Sequence, residues 1–168
     1  APNIGLNLNG SIGQNGWYRS PVTITPTGSD SISGLAGAFV SANSGAWQTS
    51  ATLNDGIHNI AITASDNAGN ILHSSTTISV DTTTPSINVN TNGKAGKSNW
   101  FVSSTTVSAS ASDSMSGVAS FEFSADGNSF QAYSSPITFS AGRHTIQFRA
   151  VDKAGNITET PIQTLNID

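Results

Sequence analysis

Aspartates recur at matched positions in the two halves of the 168-residue chain. The motif Asp-Ser-x-Ser-Gly begins at Asp30 and again at Asp113, and the motif Asp-x-Ala-Gly-Asn begins at Asp66 and again at Asp152. Carboxylate oxygens suit Ca²⁺, which takes about six to eight oxygen ligands. Aspartate also commonly accepts hydrogen bonds from the backbone of its own turn. The residue types therefore indicate either calcium binding or ordinary turn chemistry.

Two histidines, His58 and His144, also lie at matched positions. Neither belongs to a nucleophile elbow, a phosphate loop or a His-Glu-x-x-His motif, and the chain has no cysteine to supply a thiolate or a disulfide. A catalytic site needs a nucleophile, base or metal held in a cleft. We therefore predict that the histidines pack or form structural hydrogen bonds and that the chain is not an enzyme.

Aromatic pairs are repeated as well. Trp17-Tyr18 in the first half corresponds to Trp100-Phe101 in the second. Such side chains could form a platform for stacking sugar rings, because their faces are large, rigid and apolar. Their repetition favours the other interpretation, in which each tryptophan fills the core of its half.

The matches extend along the chain at a spacing of about 85 residues, which predicts two copies of one folded unit. We place the units at 1–82 and 83–168. Alternating apolar and polar residues predict strands, and the clearest in the second unit is His144–Val151. The strands predicted in the first unit are Ile4–Leu8, Val22–Thr27, Leu35–Ser41, Ala51–Leu53, Ile57–Ser65 and Ile71–Val80. This pattern predicts an all-β fold in which each unit is a sandwich of two antiparallel sheets.

Composition excludes several classes of partner. Only 10% of the residues are charged, the net charge is −4, and six Lys and Arg residues are scattered singly. Nucleic acid and anionic membranes are both bound through clustered basic residues, so neither is expected. No apolar run approaches the ~20 residues of a membrane span.

The motifs together resemble bacterial immunoglobulin-like repeats. The resemblance rests on the aspartate motifs and on Gly16–Thr23, Gly45–Gln48, Gly56–His58 and Val80–Pro85. The pattern occurs once in each unit, so the resemblance covers essentially the whole chain. It implies two tandem immunoglobulin-like sandwiches. It also implies export to the cell surface or the extracellular space, because such repeats occur in surface proteins and large secreted enzymes.

An immunoglobulin-like topology sharpens the calcium hypothesis. The chain would enter the second unit at the end that carries Asp113 and Asp152, beside the junction residue Asp81. These three carboxylates could converge on one Ca²⁺, and Asp30 and Asp66 would form the equivalent pair in the first unit. The alternative, in which each aspartate bonds its own turn, stays open. No other cofactor is expected.

We therefore predict a non-catalytic spacer of an exported bacterial protein, such as the stalk of an adhesin or accessory domains of a secreted enzyme. Its partners would be neighbouring domains of the same polypeptide. One alternative is a module that binds carbohydrate or a cell surface through the repeated aromatic pairs. Another is an extracellular filament subunit that associates with itself through exposed strand edges.

Overall fold

Strands account for all the regular structure in the computed structural model, which describes residues 1–168. The chain divides into two compact units, Ala1–Thr83 and Thr84–Asp168. No helix is long or apolar enough to cross a membrane. The all-β prediction is therefore confirmed.

Seven strands form the first unit. They are β1 (Asn3–Asn9), β2 (Trp17–Tyr18), β3 (Val22–Ser29), β4 (Leu35–Ala42), β5 (Ala51–Leu53), β6 (Gly56–Asp66) and β7 (Ile71–Val80). One sheet has the order β1-β3-β5 and the other the order β2-β7-β6-β4. Neighbouring strands are antiparallel except β2, which runs parallel to β7. The parallel pair departs from the purely antiparallel sheets expected from the sequence.

The core of the first unit follows from strand alternation. Along β6, Ile60, Ile62 and Ala64 are buried while the residues between them are only partly covered, because successive side chains point to opposite faces of a strand. Aliphatic residues from the opposing sheet, including Val22 and Ile24, pack against them. Each such side chain contributes about 1.5–3 kcal/mol when fully buried.

Nine strands form the second unit. They are β8 (Ser86–Asn92), β9 (Trp100–Phe101), β10 (Thr105–Ser112), β11 (Val118–Ala125), β12 (Gln131–Ala132), β13 (Ile137–Phe139), β14 (Gly142–Asp152), β15 (Ile157–Glu159) and β16 (Gln163–Ile167). One sheet has the order β13-β10-β8 and the other β12-β11-β14-β16-β9, with β15 also paired to β14. The first of these sheets corresponds to β1-β3-β5 in the first unit. The second, apart from β12 and β15, corresponds to β2-β7-β6-β4.

Aromatic residues fill much of the second core. Phe148 stacks on Phe121 with ring centroids 5.8 Å apart, and Tyr133 meets Phe148 edge-on at 5.4 Å. The hydroxyl of Tyr133 accepts a hydrogen bond from the backbone N–H of Ala109 at 3.0 Å. The polar end of this partly buried ring thus has a hydrogen-bond partner.

Candidate functional site

Asp30 lies in the loop between β3 and β4. Its Oδ1 accepts hydrogen bonds from the N–H groups of Ile32 at 3.1 Å and Ser33 at 2.7 Å, and from the Ser33 hydroxyl at 3.1 Å. The N–H of Ser33 is the main reason that the pKa of this carboxyl lies below its usual value. Gly34 closes the loop with a positive φ of 79°, which glycine adopts without strain.

Asp66 closes the turn between β6 and β7. Its Oδ1 accepts from the N–H groups of Ala68 at 3.0 Å and Asn70 at 2.8 Å, and its Oδ2 accepts from the Asn70 side-chain amide at 2.7 Å. That amide is the main cause lowering the pKa of Asp66, whereas the nearby charge of Asp30 acts to raise it. Asp30 and Asp66 therefore both form the hydrogen bonds of their own turns.

The second unit repeats this arrangement. Asp113 Oδ1 accepts from the N–H groups of Met115 at 3.1 Å and Gly117 at 2.7 Å. Asp152, which is fully buried, accepts from the Gly155 N–H at 2.7 Å and from the Asn156 N–H and side-chain amide, each at 2.8 Å. One carboxylate oxygen of Asp113 lies within 4.8 Å of one of Asp152. Two oxygens bound to one Ca²⁺ lie at most about 5 Å apart, so this separation fits a shared ion.

Asp81 immediately follows β7 in the first unit. Its N–H donates to the carbonyl oxygen of Tyr18 at 2.9 Å, and its Oδ1 accepts from the N–H of Thr83 at 3.1 Å and the Thr83 hydroxyl at 2.8 Å. This side chain is buried. The convergence of Asp81 with the pair of the second unit stays a prediction.

The repeated histidines form structural hydrogen bonds, as predicted. In the first unit, His58 Nδ1 lies 3.0 Å from Asn43 Nδ2 and Nε2 lies 2.8 Å from the carbonyl oxygen of Asn54. In the second, His144 Nδ1 lies 3.0 Å from Asp126 Oδ2, because aspartate occupies the position that matches Asn43. In the first unit these contacts join the turn after β4 to β6, and in the second unit they join the turn after β11 to β14.

The Asp126–His144 pair predicts acid sensitivity of the second unit. The hydrogen bond with His144, followed by the N–H of Thr145, lowers the pKa of Asp126. A lowered pKa contributes stability that is present above the unfolded-state value of about 4 and is lost as pH falls through the folded-state value. Asp126→Asn should therefore show a smaller loss of unfolding free energy between pH 5 and pH 3, measured by hydrogen exchange resolved to the second unit. Equal losses in both proteins would contradict this role.

The aromatic pairs differ from the predicted packing. Tyr18 and Phe101 pack against the two cores, whereas Trp17 is half-buried and Trp100 is 44% exposed. The expectation that each tryptophan fills a core is therefore wrong. Adjacent residues of a strand face opposite ways, so only one member of each pair can point inward.

Trp100 lines an open groove of the second unit together with Lys97, Val102 and Asp168. An exposed aromatic face with a carboxylate and an ammonium group beside it offers both stacking and hydrogen bonds to a polar ligand. Sequence reasoning identified Trp100 but did not place Lys97, Val102 and Asp168 beside it, because Asp168 is distant in the chain and the three residues share no motif. Trp47, in a hairpin of the first unit, is also exposed, at 49%.

Comparison with known proteins gives a family match within the first unit. Residues 20–82 match the family model described as the bacterial Ig-like domain. A search of curated proteins finds no match. Among solved structures, the chain is similar to a chain from the Clostridium thermocellum CbhA fibronectin(III)-like modules, at 17% identity over 97% of this chain and 93% of that chain, with a TM-score of 0.44. The expected resemblance is confirmed: the first unit matches the bacterial Ig-like domain, the second repeats its strand order, and both are immunoglobulin-like β-sandwiches.

Proposed function

We propose that the chain is a non-catalytic spacer of an exported bacterial protein, working as part of a stalk or as accessory domains beside a functional one. The supporting observation is how the repeated ionisable residues are used. Asp66 and Asp152 hold their turns, and both ring nitrogens of His58 bond neighbouring groups of the same unit. The repeated residues therefore stabilise turns and hairpins, which supports folding. A spacer requires only folded units joined in series.

We further propose that Ca²⁺ bound by Asp81, Asp113 and Asp152 stiffens this spacer. The separation of Asp113 from Asp152 fits two ligands of one ion. An ion that takes ligands from both sides of the junction would restrict bending there.

Thermal unfolding in millimolar calcium against excess chelator tests the calcium proposal. A ligand that binds only the folded state stabilises it by about 2.7 kcal/mol at one hundred times its dissociation constant. For units of this size that corresponds to a rise in melting temperature of roughly 10 °C or more. Asp81→Ala should abolish the rise. Asp168→Ala should retain it, because Asp168 is the exposed residue of the second unit that corresponds to Asp81. Identical melts with and without calcium would overturn the calcium site and leave the spacer proposal standing.

Carbohydrate binding is the second candidate function, favoured by the exposure of Trp100 beside Lys97 and Asp168. Adding cellohexaose, xylohexaose or chitohexaose to the same fragment separates it from a pure spacer. Stacking on Trp100 would change its indole emission, and Trp100→Ala would remove that change. Unaltered emission with all three probes supports the spacer.

A further inference from the structure

The outer edge of β7 is unpaired over most of its length. Only its last two residues, Ser79 and Val80, pair with β2. The preceding residues, 71–77, are all exposed, and Ile71 and Leu72 are 61% and 38% exposed. Unpaired N–H and C=O groups along a strand edge are a template for pairing with another strand.

The register shows which backbone groups face outward. Asp66 N–H donates to the carbonyl oxygen of Asn70 at 3.0 Å, so this opposed pair is hydrogen-bonded. Hydrogen-bonded and non-hydrogen-bonded pairs alternate along an antiparallel ladder. Continuing the register places Leu72, Ser74 and Thr76 in bonds to β6. The residues whose N–H and C=O groups point away from β6 are therefore Ile71, His73, Ser75 and Thr77. The N–H of Asp81, which has the same parity, points outward to Tyr18 and agrees with this assignment.

This edge has none of the features that natural sheets use to prevent edge pairing. Between Ile71 and Val80 there is no proline and no Asp, Glu, Lys or Arg, and the register with β6 is unbroken. Charged residues, prolines, bulges and short strands are the usual protections. An edge of this length and character is open to another strand.

The second unit protects the matched edge. Glu159 stands at the position of His73, and Pro161 stands at the position of Ser75. One strand is there replaced by two, β15 and β16, which are separated by residues 160–162. Because both units share one fold, the continuous edge of β7 is a property of the first unit's sequence rather than of the fold.

The remaining edges of the first unit are less suited to pairing. β4 has a register shift between Leu35 and Gly37, and Val40 pairs with Gln48 on its outer side. β5 has three residues. β1 carries Gly5 and several asparagines, residue types that are depleted in strands.

We propose that β7 is an interaction surface that pairs antiparallel with β7 of a second copy of this chain. Pairing about Ser74 sets Ile71 opposite Thr77 and His73 opposite Ser75, so every outward-facing residue meets another, with about eight backbone hydrogen bonds. β7 has no Asp, Glu, Lys or Arg, and its one histidine, His73, would meet Ser75, so the strand can approach its own copy without like-charge contacts at the edge. The same patch is used on both copies, so the contact closes as a two-fold dimer rather than an open filament. It would join two spacers side by side, and it does not depend on the calcium site.

Sedimentation of the full chain from about 5 µM to about 500 µM tests this proposal. The interface is small, and small interfaces are weak and transient, so dimers should accumulate only toward the upper end of this range. Ser75→Pro copies the residue of the second unit and removes an outward N–H group without removing a hydrogen bond to β6. It should raise the dimer dissociation constant at least tenfold. A wild-type chain that stays monomeric at about 500 µM overturns the proposal.

A matched pair of lysine variants tests the proposal independently of whether the proline variant folds. Thr77 and Thr164 occupy equivalent positions, and both are exposed on outward-facing parts of their edges. Thr77→Lys should weaken the dimer at least tenfold, whereas Thr164→Lys should leave it unchanged. Slower hydrogen exchange at the amides of Ser75 and Thr77 on raising the concentration would support the assigned strand. Equal effects of the two lysine variants would overturn it.

Discussion

Replacing Phe148 by alanine is expected to lower the free energy of unfolding of the second unit by about 3–5 kcal/mol. The side chain is 1% exposed and contacts Phe121 and Tyr133, so the substitution removes buried apolar area and leaves a cavity among rings that cannot fully collapse. A domain of this size is typically stable by about 5–15 kcal/mol. Phe148→Ala should therefore leave the second unit only marginally folded while the first unit keeps its stability.

Hydrogen exchange read by mass spectrometry on peptides from each unit measures this effect separately for the two units. Phe130→Ala is the matched control in the same unit. Phe130 lies outside the core with the Arg149 guanidinium 4.2 Å from its ring centre, and such a cation–π contact contributes about 0.5–1 kcal/mol. Equal losses in the two variants would contradict the aromatic core.

Strand alternation was sufficient to predict the central elements of the fold. The predicted strand His144–Val151 lies within β14, and its inward residues Ile146, Phe148 and Ala150 are all buried. Long central strands bury one face completely, so their period of two is strong in the sequence. The turns were predicted equally well, because the Asp and Gly residues that they need are local signals.

Short strands gave no such signal. β2 and β9 have two residues each, and no period can be read from two residues. The sequence could not show whether the first or the second aromatic residue of each pair points inward, and repetition wrongly favoured the tryptophans. The parallel pairing of these strands is likewise a long-range contact that local residue types do not encode.

The difference between the strand edges of the two units was only partly predictable from the sequence. Pro161 was visible in the sequence and is known to interrupt a ladder, so the division between β15 and β16 could have been predicted. The consequence for β7 depends on which strand lies at the edge of a sheet. That order is set by tertiary packing, and it became available only with the structure.

Replacing Asp152 by alanine is expected to lower the free energy of unfolding of the second unit by about 3 kcal/mol, since the hydrogen bonds lost are to a charged, buried acceptor. Its carboxylate accepts from the Gly155 N–H and from two groups of Asn156. The alanine variant removes this acceptor while the donors stay in a turn held by Gly155 with φ of 93°. Asp152→Asn should lose less, because its side-chain oxygen still accepts from the turn.

Hydrogen exchange of the second unit, recorded in excess chelator, isolates this effect from any contribution of a bound ion. Asp168→Ala is the control, because it makes the same substitution at an exposed residue of the same unit. A loss below about 1 kcal/mol for Asp152→Ala would place it among ordinary surface substitutions and refute a stabilising role for these turn bonds. A larger loss in calcium than in chelator would show that one carboxylate both holds the turn and binds the ion.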